Sequence, residues 1–446
     1  MLLLISFFLF HSFFLSEGAI SANEEDATFE SQNIIATGTI GRDGALWTLD
    51  DDGVVEIGGG VIWHDGFGSG VVWPEGIGRR PTWLKENRSG YHVARTSPWH
   101  DYRELVRIIR FTEPVIAGES LRGLFGSLPR LMSIENASYI DTSAVVDMNY
   151  MFFVLNHGSH PDASSLIYVD VSAWDTSRVR YMRRMFENAG RLAEIDASSW
   201  DTSSVTNMGS MFYGARSIKS LDVSNWDTSN VTNMAAMFGV TSELEYLDVS
   251  GWDTSNVEFM GSMFSHARSL TSLDVSNWDT SQVTRMAGMF SGARNLTSLD
   301  VSNWDTSNVQ DMLSIFGNAQ NIRTLMLGEG FEFHSNANLP EITPNAKYTG
   351  YWQNVGEGTI YEPAGLYILT SAELVEQFDG VTMADVFVRQ RRHTPLNRYY
   401  MVQWGDTLSE LAVQFGTTVT ELARLNNIEN PDFILAGQIL TLPRDD

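Results

Sequence analysis

The stretch "LDVSNWDTSNVTNMAAMF" at 221–238 returns as "LDVSNWDTSQVTRMAGMF" at 273–290 and as "LDVSNWDTSNVQDMLSIF" at 299–316. Its Trp-Asp-Thr-Ser element starts at Trp174, Trp200, Trp226, Trp252, Trp278 and Trp304, a constant spacing of 26 residues. A weaker copy, Asp141-Thr142-Ser143, lies 34 residues before Asp175, with the extra eight taken up around "HGSHPDAS". A unit this short cannot bury its apolar face alone, whereas stacked copies bury a continuous core. The repetition is therefore architectural, and it predicts a long regular surface suited to binding rather than a catalytic cleft.

Within a unit, "SLDVS" alternates so that Leu221 and Val223 face one way and Asp222 the other, the period of a half-buried strand. Every unit runs in the same sense, so these strands must be parallel. "DTSN" then offers side-chain acceptors for a turn and a helix N-cap. Val231, Met234, Met237 and Phe238 follow at helical i, i+3, i+4 spacing and predict a short buried-sided helix, closed by Gly or Ala as in "SGARNL". A period between about 20 and 29 residues is the mark of a leucine-rich-repeat-like coil. The expected fold is thus an α/β repeat solenoid, with one short parallel strand and one short helix per repeat.

Three columns carry competing readings. The Met pairs at 208/211, 234/237, 260/263 and 286/289 could bind soft copper, but they share a face with Phe and Val and read as core filler. One Trp per coil at fixed phase reads as a buried spine rather than a sugar-binding ladder. Asp170, Asp196, Asp222, Asp248, Asp274 and Asp300 should point outward from strands about 4.8 Å apart, where like charges repel. Relief by Ser and Thr hydroxyls and solvent is the default; calcium binding is the alternative.

The apolar run from Leu2 to Leu15, followed by small residues such as Ala19 and Ala22, predicts a secretory leader over 1–22. No Lys or Arg precedes it, which leaves an upstream start or an uncleaved anchor open. Residues 30–135 are expected to form an N-terminal cap. Its "GRDGALWTLDDDGVVEIGGG" predicts a hairpin, "SPWHDYRELVRIIRF" a helix-to-strand passage, and "SLRGLFGSLPRLMSIE" a degenerate repeat. Seven repeats then occupy 136–327, a capping module 328–390, with a Thr370/Glu373 capping box, and a polar linker 391–398. The glycine cluster at 66–70 lacks the lysine and strand-to-helix setting of a nucleotide loop. The basic segment "RVRYMRRMFENAGRL" (178–192) could be a binding patch or only an exposed helix.

The net charge, 29 − 55 = −26, argues against nucleic acid and anionic membranes as partners. The chain has no Cys, which excludes disulfides, thiolate metal sites and Cys nucleophiles. With nine scattered His and no His-Glu-x-x-His motif, no catalytic residue, metal site or cofactor is expected.

Over roughly residues 38–390 the chain resembles BspA-like leucine-rich-repeat surface proteins of bacteria, on the 26-residue unit, the "SPWHDYRE" block and the "YTGYWQNVGEG…LTSAELVEQFDGVTMADVFV" closing module. That resemblance implies a secreted or wall-associated protein whose solenoid adheres to host or bacterial surfaces. Residues 399–446 resemble a LysM domain. Their pattern independently predicts β-α-α-β, with Asp406 capping one helix and a Thr418/Glu421 capping box opening the next.

The LysM resemblance implies binding to peptidoglycan or another N-acetylglucosamine-containing glycan. It places the groove at Gly405, Asp406, Thr407 and Leu408, then Asn430, Pro431, Asp432, Phe433 and Ile434. Backbone groups of these loops could bond acetamido groups, with Leu408 and Ile434 offering apolar contact; alternatively Asp406 only caps and Phe433 only packs. The module carries 2 − 7 = −5 charges, so repulsion from an anionic wall should fall, and binding rise, as carboxylates protonate near pH 4–5. The expected protein is a non-enzymatic, wall-held display protein. A LysM-bearing hydrolase and a coat protein without specific ligand are the rivals.

Overall fold

The computed structural model describes residues 33–41, 44–64, 97–155, 164–334, 336–392, 399–428 and 430–442. The expected leader, the glycine cluster at 66–70 and residues 393–398 of the expected linker lie outside them.

The strands β1 (Ile34–Ile40), β2 (Ala45–Asp50) and β3 (Val54–Ile57) pair antiparallel. The β2–β3 turn closes on Gly53, whose φ of +86° is left-handed backbone that glycine adopts without strain. Then come β4 (Gly60–His64), β5 (Ile108–Phe111), β6 (Val115–Leu121), β7 (Ser133–Glu135) and β8 (Ile140–Asp141). Here the pairing turns parallel, β3 to β5 to β7 in one sheet and β4 to β6 to β8 in another. The antiparallel hairpin therefore covers the first parallel edge, which would otherwise offer unpaired N–H and C=O groups. The helix expected before β5 is only a 3-10 turn, His100–Tyr102.

Further along, β9 (Ser220–Leu221) and β10 (Tyr246–Leu247) pair parallel, as do β11 (Ser298–Val301) and β12 (Thr324–Leu327). Leu221 and Val223 are buried while Asp222 is exposed, the alternation the sequence implies. A second parallel ladder, which strand periodicity does not reveal, links Asp147, Tyr181, Asn207, Asn233, Phe259, Arg285 and Asp311 coil to coil.

The predicted helix of each repeat is not there; among the described residues no α-helix precedes Ser371. Val231, Met234, Met237 and Phe238 are indeed all buried. Their segment, however, winds through tight turns. The amides of Met234, Ala236 and Phe238 donate to Phe259, Gly261 and Met263 of the next coil at 2.8–2.9 Å. The amides of Met237 and Gly239, each one residue after Ala236 and Phe238, bond back three residues to Met234 and Ala236 at 3.1 Å. Ala236 and Val240 sit at φ of +56° and +62°, as Ser262 and His266 do at +58°. A right-handed helix cannot hold left-handed residues four apart. Helical and turn periods share the i, i+3, i+4 face, and a segment this short, rich in Ser, Thr, Asn and Gly, gains more from a neighbouring coil than from its own helix.

The Trp-Asp-Thr-Ser element is likewise a set of coil-to-coil ties. Trp252 donates its indole N–H to the Val223 carbonyl at 3.0 Å, and Trp278 and Trp304 repeat this to Val249 and Val275 at 3.1 Å. The buried Thr228 and Thr254 hydroxyls donate forward to the Asp253 and Asp279 carbonyls at 2.8 Å. Asp253 folds back to accept from the Ser255 amide and hydroxyl at 3.0 and 2.7 Å. The Trp spine is buried and stacked, with 6.4 Å between Trp252 and each neighbour. A Phe column runs beside it from Phe125 through Phe152 to Phe316, which draws the degenerate first repeat into the stack.

The outward Asp column is relieved by hydroxyls. Asp196, Asp222, Asp248 and Asp274 each accept from the Ser two residues on at 2.7–2.8 Å. Among the described residues no three acidic or imidazole groups gather into a metal-holding set.

The Ser hydroxyls, with their amides second, hold the carboxyls of Asp141, Asp175, Asp196, Asp227, Asp248, Asp253 and Asp305 below the usual carboxylate range. A depressed carboxyl lends stability above its unfolded pKa and loses it as pH falls through the folded value. Burial pushes Asp147 and Glu187 upward instead, so these two strain the fold at neutral pH and relax on acidification. The more numerous depressed group should prevail. Thermal unfolding of the full chain is expected to shift to lower temperature below about pH 4; a midpoint that holds steady down to about pH 2.5 would contradict this.

After Leu327 the chain forms β13 (Tyr348–Asn354), β14 (Ile368–Leu369), α1 (Ser371–Gln377), α2 (Gly380–Met383) and β15 (Asp385–Arg391). Antiparallel β15 lies along β12 and ends the parallel stack. The Thr370/Glu373 capping box opens α1. The last described residues form β16 (Tyr399–Met401), α3 (Leu408–Gln414), α4 (Val419–Leu425) and β17 (Ile439–Thr441), with a core of their own around Val402, Leu411, Leu422 and Leu440.

Candidate functional site

The hairpin-like pairing of β16 with β17 brings the chain leaving β16 beside the chain entering β17. Val402 fastens the corner: its amide donates to the Gln438 carbonyl and its carbonyl accepts from the Gly437 amide, both at 2.8 Å. The two stretches expected to form the groove, 405–408 and 430–434, thus follow β16 and precede β17 at one end of this sheet.

In the first loop Gly405 has φ of +96°, with open space where a Cβ would stand. Asp406 does not cap α3. Its carboxylate accepts from the Gln403 amide at 2.7 Å and the Tyr400 hydroxyl at 2.8 Å, which raises the Tyr400 pKa. Thr407 is the cap, in a reciprocal box with Glu410. One residue of register separates the two, and Asp406 is used up in tightening the loop. At α4 only half of the expected box forms, because Glu421 turns to Arg424 at 2.7 and 2.9 Å, which lowers its pKa.

Leu408 is also a correction. It is 1% exposed in the module core and offers no face to a ligand. In the second loop the Asn430 side chain accepts from the Asp432 amide at 3.2 Å and its carbonyl from the Phe433 amide at 3.1 Å, making a tight turn with Pro431 and Asp432 exposed. Phe433 is 65% exposed and so does not merely pack, while Ile434 is half-buried against the core.

Sequence reasoning passed over Trp404, which is 94% exposed, and Leu435, 58% exposed. A signal existed. Tyr400 and Val402 face the core in the strand alternation, and Trp404 comes after the strand has ended, against Gly405, where no core slot remains. A bare indole on one loop and a bare phenyl on the other, both leaving the same end of the sheet, are apolar faces suited to a sugar ring rather than a catalytic pair.

Residues 400–443 match the model of the LysM domain. The chain carries a C-terminal LysM domain. The same segment is 51% identical over 41 residues to N-acetylmuramoyl-L-alanine amidase XlyA and 43% identical over 44 residues to the cortical fragment-lytic enzyme, both of Bacillus subtilis (strain 168). Those matches take in 9% and 10% of this chain, and 14% and 10% of the enzymes' own lengths. The likeness to these enzymes is confined to the LysM domain.

Residues 119–242, 159–271 and 241–335 match the family described as Mycoplasma protein of unknown function, DUF285, the overlapping windows of a periodic array. A leucine-rich repeat protein from Eubacterium ventriosum is 12% identical, covering 71% of this chain and 99% of its own, at a TM-score of 0.25. That score is low, and the array stands on its own coil-to-coil ladders. A LysM domain implies association with peptidoglycan or related N-acetylglucosamine glycans, and among the described residues no helix is long and apolar enough to cross a membrane.

Proposed function

We propose that this is a secreted, non-enzymatic protein held on the bacterial cell wall by its LysM domain, and that it displays the repeat array to another surface. The exposed pair Trp404 and Phe433, one on each of the two loops, carries the reading. Gly405, Asp406, Thr407, Asn430, Pro431, Asp432, Phe433 and Ile434 shape the glycan groove around it, with Leu408 supporting from the core. The chain divides into leader, N-terminal cap, repeats, closing module, linker and LysM domain as the sequence suggests, and its array belongs with BspA-like surface proteins whose ligands are host or bacterial surfaces.

A peptidoglycan hydrolase is the second reading, prompted by the amidase and lytic-enzyme likeness. That likeness stops at the LysM domain, so nothing in it extends catalysis to the rest of the chain.

Full-length protein should sediment with purified peptidoglycan, more completely at about pH 4.5 than at pH 7 as the carboxylates of a domain with net charge −5 become protonated. It should leave no clearing on a wall-substrate gel. Absence of sedimentation at both pH values would defeat the anchor, and clearing would favour the hydrolase.

A further inference from the structure

We propose that the first coils of the array bind a linear phosphate-bearing polyanion, seated on Arg122 and Arg183 around Tyr150 with Arg180 exposed on the same coil as Arg183. Only the place where such a polymer is met rests on the wall reading; the site itself stands on charge and geometry.

The segment 178–192 carries five Arg and one Glu, 5 − 1 = +4, in a chain of net charge −26. Val179 and Met182 are buried, while Arg178, Arg180 and Arg183 are exposed on the same coil. Ser120 bridges Asp147 and Asp147 bridges Tyr181, so two residues further on Arg122, Asn149 and Arg183 stand in one column. The guanidiniums of Arg122, Arg183 and Arg184 lie 5.1, 6.0 and 5.8 Å from the centre of the Tyr150 ring. That ring is only 6% exposed and forms the floor beneath them.

Such crowding of like charge is unfavourable, and one aromatic face offsets only about 0.5–2 kcal/mol per cation. Two carboxylates help in part. Asp147 stands 3.4 Å from Arg122 and Glu187 3.3 Å from Arg184, both on carboxyls that burial already disfavours as anions. Among the described residues Arg178, Arg180 and Arg183 enter no ion pair; Arg183 donates only to the Tyr150 hydroxyl, at 3.1 Å.

The architecture does not need this charge. At the positions of Arg180 and Arg183 later coils carry Thr206 and Gly209, Thr232 and Ala235, then Thr284 and Ala287, with the same ladder bonds. Guanidinium forks match phosphate oxygens bidentately. The column from Arg122 to Arg183 crosses two coil spacings, about 10 Å, which suits repeated anions along a chain better than one small ion. A second copy of this protein is a poorer occupant, because its Asp columns already accept from Ser hydroxyls at 2.6–2.8 Å. The LysM domain, at −5, cannot neutralise an anionic matrix, and this coil supplies the missing sign on the same chain.

The test titrates full-length protein with fluorescent linear inorganic polyphosphate across a salt series, and separately with N-acetylglucosamine oligomers. Arg180→Glu with Arg183→Glu should weaken polyphosphate binding at least about tenfold and flatten its salt slope by about 1–2. Arg180→Thr with Arg183→Ala copies the coil at 232 and 235, keeps the fold, and should lose most of the same affinity. Glycan binding should be unchanged in both. Equal polyphosphate affinity in the variants, tighter binding of polygalacturonate than of polyphosphate, or self-association that the reversals abolish would overturn the proposal. Polyphosphate binding lost with the arginines while no protein binds the oligomers would sustain this site and count against the LysM reading instead.

Discussion

Trp252→Ala should lower the unfolding free energy of the array by about 3–5 kcal/mol, the cost of deleting a fully buried aromatic side chain. The indole fills the space between Trp226 and Trp278, 6.4 Å from each, and lies 6.2 Å from Phe238. Its loss would also strand the Val223 carbonyl, which accepts from it at 3.0 Å. Because each coil touches only its neighbours, a cavity in the middle weakens the coupling between the two halves as well as the total. Urea unfolding followed by far-UV circular dichroism should therefore show a lower midpoint and a broader or split transition. Trp252→Phe, which keeps ring stacking but not the N–H, should recover part of the loss. A cost below about 1 kcal/mol for the alanine variant would mean that the spine does not hold the coils together.

Trp404→Ala should weaken binding of N-acetylglucosamine oligomers by about tenfold or more, roughly 1.4 kcal/mol upward, since tryptophan is the residue type that most often dominates a binding surface. The side chain is almost wholly in water, so thermal stability should not move. That contrast separates a binding role from a structural one. Optical evidence should agree. Iodide should quench Trp404 while leaving the buried array tryptophans untouched, and saturating glycan should protect it. Affinity unchanged by the substitution, or quenching unchanged by the glycan, would take Trp404 out of the groove.

The repeat period, the parallel sense of the coils, the inward Trp, Met and Phe and the outward Asp were all readable from residue spacing. Each follows from an apolar face that must be hidden and a unit too small to hide it. Local chemistry also sufficed where it was self-contained, as at the Thr370/Glu373 box, both partners of which lie within one turn.

Only the tertiary structure decided what could not be settled inside one unit. The Met-Met-Phe face is a run of turns rather than a helix because its alternate amides find carbonyls on the next coil, 25 residues away in sequence. Asp406 serves Tyr400 and Gln403 instead of the helix beside it, Leu408 goes into the core, and Trp404 is left on the outside, because strand pairing fixes where the loop leaves the sheet. The gathering of Arg122 with Arg183 on Tyr150 has the same origin: residues about 60 apart in the chain become neighbours only when coils are stacked in register.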